Sequence, residues 1–256
     1  FDTAWERYKV SPELITAILI LETRLGDYPM KYNVFKVYTT LTTLLDSEYF
    51  TSVLQAARSG YVPTEEVLKT ARAKGKWGLE ELSALINLSD RLGIDPVGIN
   101  GSFAGAIGPA QFIPSSFVKF GVDGNGDGKI DPFDMEDCIV SVANYMKLAG
   151  WKEDAAIERK RQAIWTYNHH DVYVNTILMV YDRLIAEGEK QSDEKVEQLG
   201  GVPDAAPNRK VAAPGKDDVR SGPSKGADQG TAKKDPSEEN GSSTIRPAPV
   251  LSGETQ

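Results

Sequence analysis

Two sets of side chains in this sequence can do chemistry: one glutamate and a series of oxygen donors. Glu22 lies in the last turn of PELITAILILETRL, Pro12 to Leu25. The apolar residues of that segment run all round the cylinder, the pattern of a helix buried in a core. Ser11 suits its N-cap, Pro12 its first position and Gly26 the position just past its end. Burial and the negative end of the helix dipole both disfavour a carboxylate, so both predict a raised pKa for Glu22, the property a general acid needs near neutral pH. On the helix alone, pairing with Arg24 or contact with water at the helix end is the simpler account.

The oxygen donors are Asp123, Asn125, Asp127, Asp131 and Asp134. They fall at positions one, three, five, nine and twelve of a twelve-residue loop, with Gly128 at the sixth and the Lys129 carbonyl at the seventh, which is the order of an EF-hand-like calcium loop. Asp134 is shorter than the bidentate glutamate usual at the twelfth position, which predicts weaker affinity. The alternative is a Gly/Asp-rich turn without metal. Lying between the Gln111 segment and the helix of Tyr145, a bound Ca2+ is expected to be structural, fixing the two against each other.

A third segment, GSFAGAIGPAQFIPSS from Gly101 to Ser116, is rich in small residues. These let backbone come close to a ligand or to other backbone, and Ser102 and Gln111 can then offer hydrogen bonds to a polar substrate such as a sugar. A tight packing corner, with Gln111 capping a helix, explains it equally well. His169 and His170 lack a third ligand in a matching block and read as exposed or capping residues. Cys138, the single cysteine, reads as a buried structural thiol.

The elements that must position these groups are helical. Periodicity predicts helices over residues 12–25, 41–58, 64–73, 79–92, 114–120, 134–149, 153–166 and about 172–187, with a polar connection over 27–39 and breaks at Gly75 and Gly78. No strand pattern of useful length occurs, so the class is mainly α. All Phe, Trp and Tyr residues precede position 189. The predicted organisation is one domain over 1–188 and a disordered low-complexity tail over 189–256, which has too little apolar surface to offset its ordering entropy. A formal net charge of −8 gives no support to nucleic-acid binding. No run of about 18 apolar residues marks a transmembrane helix. Beginning at Phe1 rather than Met, the chain is expected to lack its natural start, so the absence of a signal peptide excludes no compartment.

Four blocks in order, AWERYKVSPELITAILILETRLG, NGSFAGAIGPAQFIPSSF, DGNGDGKIDPFDMEDCIVSVANYMKLAGW and TYNHHDVYVNTIL, resemble the catalytic domain of the lytic murein transglycosylase B family (glycoside hydrolase family 103). The resemblance covers roughly Ala4 to Leu184 and implies a lysozyme-like fold with an EF-hand-like loop that carries Asp at its last position. It implies Glu22 as the catalytic acid/base, Ser102 and Gln111 as residues lining a glycan cleft, and Tyr145, Tyr167 and Asn168 as residues that hold the acid and the sugar. It further implies peptidoglycan as partner, an envelope or periplasmic location and no organic cofactor. A monomer is expected, with cell-wall protein partners for the tail.

Most glycosidases flank the scissile bond with two carboxylates. Here no second acid sits in a comparable block: Asp27 follows a helix stop, and Asp46 and Glu48 lie in a polar turn-like stretch. The resemblance therefore implies non-hydrolytic cleavage, in which one carboxyl serves as acid and then base and the substrate's own C6 hydroxyl closes a 1,6-anhydro ring. A lysozyme-type muramidase using water, or an inactive peptidoglycan-binding scaffold, are the alternatives. The stretch between Trp151 and Thr166 is short for the family, which bears on substrate length preference.

Overall fold

A computed structural model describes residues 1–198. Nine helices occur among them: α1 (Asp2–Tyr8), α2 (Pro12–Thr23), α3 (Val34–Thr42), α4 (Ser47–Ala57), α5 (Glu65–Leu92), α6 (Pro114–Phe120), α7 (Met135–Leu148), α8 (Ile157–Tyr167) and α9 (Asp171–Gln198). Two-residue strands β1 (Tyr32–Asn33) and β2 (Asn100–Gly101) pair antiparallel, Tyr32 opposite Gly101 and Asn33 opposite Asn100. Residues 1–187 form one compact unit, and α9 continues as helix to Gln198. The disorder expected over residues 189–198 is thereby corrected. Beyond Gln198 the predicted tail lies outside the described residues.

The sequence of α2 explains its central position. Ser11 caps its start, the hydroxyl accepting from the Leu14 amide, and Leu14, Ile15, Ala17, Ile18 and Leu19 are all buried in the core. The helix stops where Arg24 and Leu25 both enter the left-handed region, ahead of Gly26. That turn reverses the chain directly after Glu22. At the other end, Glu153 accepts from the Ser11 amide, the Trp151 indole and the Tyr181 hydroxyl, tying the start of α2 to the loop before α8 and to α9. Helix α7 packs against α1, α2, α6 and α8.

Two expectations about element boundaries are corrected. Gly75 and Gly78 do not break the chain into two helices; both lie inside the continuous α5. A Cβ at Gly78 would lie 2.6 Å from Leu41 Cβ, and one at Gly75 would lie 3.0 Å from the Leu45 amide nitrogen, so the glycines let the end of α3 and the turn after it pack onto α5. Conversely, the helix expected over 41–58 is interrupted by a 3-10 turn, Thr43–Leu45, before Asp46 caps α4 by accepting from the Glu48 and Tyr49 amides. Helix α3 begins at Val34, within the connection expected to be irregular, because Asn33 caps it.

Candidate active site

Glu22 is 5% exposed in the last turn of α2. Among the described residues it has no cationic partner, and Arg24 points to solvent, so the ion-pair account of Glu22 is not what the fold adopts. Its partner is Tyr173 on α9, whose hydroxyl donates to Oε1 at 2.8 Å. Burial pushes the carboxyl up to about 8, against the opposing effect of the Tyr173 bond. The other buried acids among the described residues, Glu81 and Asp137, each accept backbone amides. Glu22 takes none, which leaves it with no amide donor to favour the ionised form.

The tyrosines expected beside the acid divide their tasks differently. Tyr145 donates to the Thr166 carbonyl, and Tyr167 to the Ala110 carbonyl at 2.6 Å. The ring of Tyr167 lies parallel to that of Tyr173, centroids 6.5 Å apart, and meets Tyr145 edge to face at 5.0 Å. Tyr145 and Tyr167 therefore support the ring that holds the acid. Burial, and secondarily the charge on Glu22 when ionised, keep the phenols of Tyr167 and Tyr173 well above their ordinary pKa, so both act as neutral donors. Asn168 is 4% exposed and its Oδ1 has no hydrogen-bond partner, an acceptor oriented toward nothing the protein supplies.

Local sequence explains the corner. Helix α8 ends as Asn168 turns extended, His170 donates its amide to the Asn168 carbonyl at 2.8 Å, and α9 starts at Asp171. His170 Nδ1 accepts from the Val172 amide and His169 packs edge to face on Trp165, matching the capping and exposed roles expected of the pair.

The small-residue segment docks onto the end of α2 through a residue the sequence did not single out. Thr23 Oγ1 donates to the Pro109 carbonyl at 2.7 Å and accepts from the Gly26 amide at 2.9 Å. Gln111, at φ 51°, donates from its side chain to the Gly108 carbonyl and to Met30 Sδ, closing a tight turn rather than capping a helix. Ser102 is buried, its hydroxyl accepting from the Ala106 amide at 3.0 Å. That arrangement leaves the Ser102 proton free to donate.

In the Asp-rich loop the expected ligands engage their own backbone. Asp123 accepts from the Gly126 and Gly128 amides, Asn125 from Asp127, Asp127 from Lys129 and Asp131 from Phe133, while Asp134 is the N-cap of α7. Asp137, which sequence reasoning passed over, closes the loop by accepting from Gly124 and Asp131 at 2.7 Å each. Among the described residues no three acidic, histidine or cysteine side chains converge as a metal-holding group. The donor set itself, carboxylates, an amide and a carbonyl, has the chemistry of a hard cation such as Ca2+. Cys138 is buried next to this loop with its thiol on the Pro132 carbonyl, and burial pushes it up to about 12.

The helical fold thus buries one carboxyl, Glu22, beside the Tyr173 phenol, next to a corner of small residues. The chain belongs to the transglycosylase SLT domain family, whose model matches residues 1–163. It is 36% identical over 152 residues to membrane-bound lytic murein transglycosylase B of Escherichia coli, a match covering 59% of this chain and 34% of that protein. The chain thus spans about a third of that relative's length. Escherichia coli lytic transglycosylase Slt35, in its bulgecin A complex, superposes with a TM-score of 0.58 at 22% identity, over 73% of this chain and 69% of the other. Soluble lytic transglycosylase SltB1 of Pseudomonas aeruginosa gives 0.57 at 22% identity, over 73% and 74%. These two likenesses establish the fold.

Proposed function

We infer that the chain cleaves the β-1,4 bond between N-acetylmuramic acid and N-acetylglucosamine in peptidoglycan without consuming water. The observation that carries this reading is Glu22, buried at the end of α2, holding the Tyr173 hydroxyl on Oε1 and, unlike the other buried acids among the described residues, taking no backbone amide. Glu22 gives its proton to the glycosidic oxygen as the C1–O bond breaks, and the acetamido oxygen of the muramic acid stabilises the positive charge at C1. The resulting carboxylate, steadied by the Tyr173 hydroxyl, takes the proton of the C6 hydroxyl, whose oxygen bonds to C1 and closes the 1,6-anhydro ring. One carboxyl thereby starts and finishes the cycle in the same protonation state. Asn168 Oδ1 and the Ser102 hydroxyl line the glycan cleft, as acceptor and donor for the sugar's acetamido and hydroxyl groups; Gln111 shapes the same wall.

The relative's name, membrane-bound lytic murein transglycosylase B, supports murein as the substrate class and a cell-envelope location. No helix among the described residues is long and apolar enough to cross a membrane. No organic cofactor enters the reaction. In the loop, Asp123, Asn125, Asp127, Asp131 and Asp134, with the Lys129 carbonyl, would hold a structural Ca2+; Slt35 has been solved in complex with calcium.

Digestion of peptidoglycan by the wild-type chain and by Glu22→Gln, with mass spectrometry of the fragments, tests the reading. Anhydromuramic ends from the wild type and nearly none from the variant are expected. Reducing ends alone would identify a muramidase that uses water, and binding without fragments would identify an inactive scaffold.

A further inference from the structure

Aromatic rings reach solvent from the strap between α2 and β1, from β1 itself and from the residue after Ser102. Tyr28 is 45% exposed, Tyr32 53% and Phe103, the residue after Ser102, 47%. Rings of this size would gain about 1.5–3 kcal/mol each from full burial, so leaving Tyr32 and Phe103 exposed side by side points to a use.

The backbone under these rings is fixed. The Tyr28 amide donates to the Thr23 carbonyl at 2.9 Å, one residue beyond Glu22. Met30 receives the Gln111 amide, joining the strap to the small-residue segment. Tyr32 is held opposite Gly101 by the strand pair, and the Asn33 side chain anchors it further by donating to the Val97 carbonyl at 2.6 Å. From these two segments the Tyr32 and Phe103 rings meet edge to face, centroids 6.3 Å apart at 73°. The pair is therefore preorganised, and little side-chain entropy remains to be lost when something binds there.

We propose that Tyr32 and Phe103 form a ledge on which a pyranose ring of the glycan strand stacks, extending the site past the bond being cut. A pyranose has an apolar C–H face and a polar hydroxyl edge. An exposed ring pair flanked in sequence by the polar Lys31 and Asn33 matches both, whereas an acyl chain or an apolar peptide would require a continuous apolar groove. The ledge sets affinity for long strands over short ones. It rests on reading the Glu22 site as one that handles glycan.

Calorimetric titration of soluble glycan strands, stripped of peptide, into the Glu22→Gln chain tests the ledge without cleavage. Adding Tyr32→Ala or Phe103→Ala is expected to weaken binding of long strands on the order of tenfold. Tyr32→Trp, which keeps a ring, is expected to restore affinity, and Tyr49→Ala, another exposed tyrosine but on α4, to leave it unchanged. Phe103→Leu keeps apolar bulk without a ring, so affinity lost there as well would separate stacking from misfolding. Unchanged binding in both the Tyr32 and Phe103 variants, while the wild type cleaves peptidoglycan, overturns the ledge alone. Weakened binding in a chain whose wild type does not cleave keeps the ledge and removes the acid/base role of Glu22. Failure of the Glu22→Gln chain to bind any glycan overturns the ledge.

Discussion

Glu22 departs from an ordinary carboxyl in a direction that has consequences for stability as well as for reactivity. Its pKa is raised from 4.5 to about 8 on folding, so between those values the folded chain holds a proton that the unfolded chain has released. The stability associated with that proton is fully present below about pH 4.5 and is lost as pH rises toward 8, by up to about 1.4 kcal/mol per pH unit. Glu22→Gln has no such loss. Thermal melts should therefore show the variant gaining on the wild type from pH 4.5 to pH 8; a constant difference would mean that Glu22 is ionised throughout. Turnover should fall above about pH 8, where the acid is lost. Tyr173→Phe should raise the carboxyl further, since the phenol bond lowers it, and move that limb to higher pH. The same variant should slow turnover roughly tenfold to hundredfold, because the carboxylate formed in the reaction loses its donor. A pH–rate profile superposable on wild type would remove Tyr173 from the mechanism. Glu22 was legible in the sequence, since an acid in a helix apolar on every side is conspicuous. Tyr173 was not: it lies 151 residues further on, and no local spacing encodes which phenol will reach that carboxyl. The Tyr-Asn pair a few residues earlier was legible as a motif, but Tyr145 and Tyr167 spend their hydroxyls on backbone carbonyls.

At the scale of elements, caps were readable and close approaches were not. Ser11 with Pro12 and the start of α6 at Pro114 carry local signals, and both helices begin where those signals stand. Gly75 and Gly78 carry a signal of the same kind, yet they serve packing between α3 and α5, a tertiary demand invisible in a window of neighbours. Gly78→Ala makes the point testable. Helix propensity alone predicts a gain of about 1 kcal/mol, but the new methyl would sit 2.6 Å from Leu41 Cβ, at the root of a side chain that cannot swing aside. A net loss of about 1–3 kcal/mol in denaturant unfolding is expected. A stabilised variant would show that α3 does not lie as close to α5 as the structure has it.

The whole molecule joins a neutral buried acid to a set of short hydrogen-bonded clamps: Thr23 on Pro109, Glu153 across three elements, and Asp137, in the first turn of α7, on the loop that precedes it. The loop is the clamp whose strength depends on conditions. Its side-chain oxygens now satisfy backbone amides, and a bound Ca2+ would add ligand bonds available only to the native state, so millimolar calcium should raise the melting temperature and a chelator should lower it. No shift with either would return the loop to the Gly/Asp turn that its sequence also permits. The sequence order of donors was sufficient to suggest the cation, whereas Asp137, outside the twelve-residue pattern, could be found only from the folded loop.

The central claim is that the substrate's own C6 hydroxyl, rather than water, bonds to C1 and gives its proton to Glu22. Digestion of peptidoglycan in heavy-oxygen water reads this directly by mass spectrometry. The account predicts anhydromuramic ends with no heavy oxygen incorporated at the cleaved bond; one heavy oxygen in each new reducing end would contradict it.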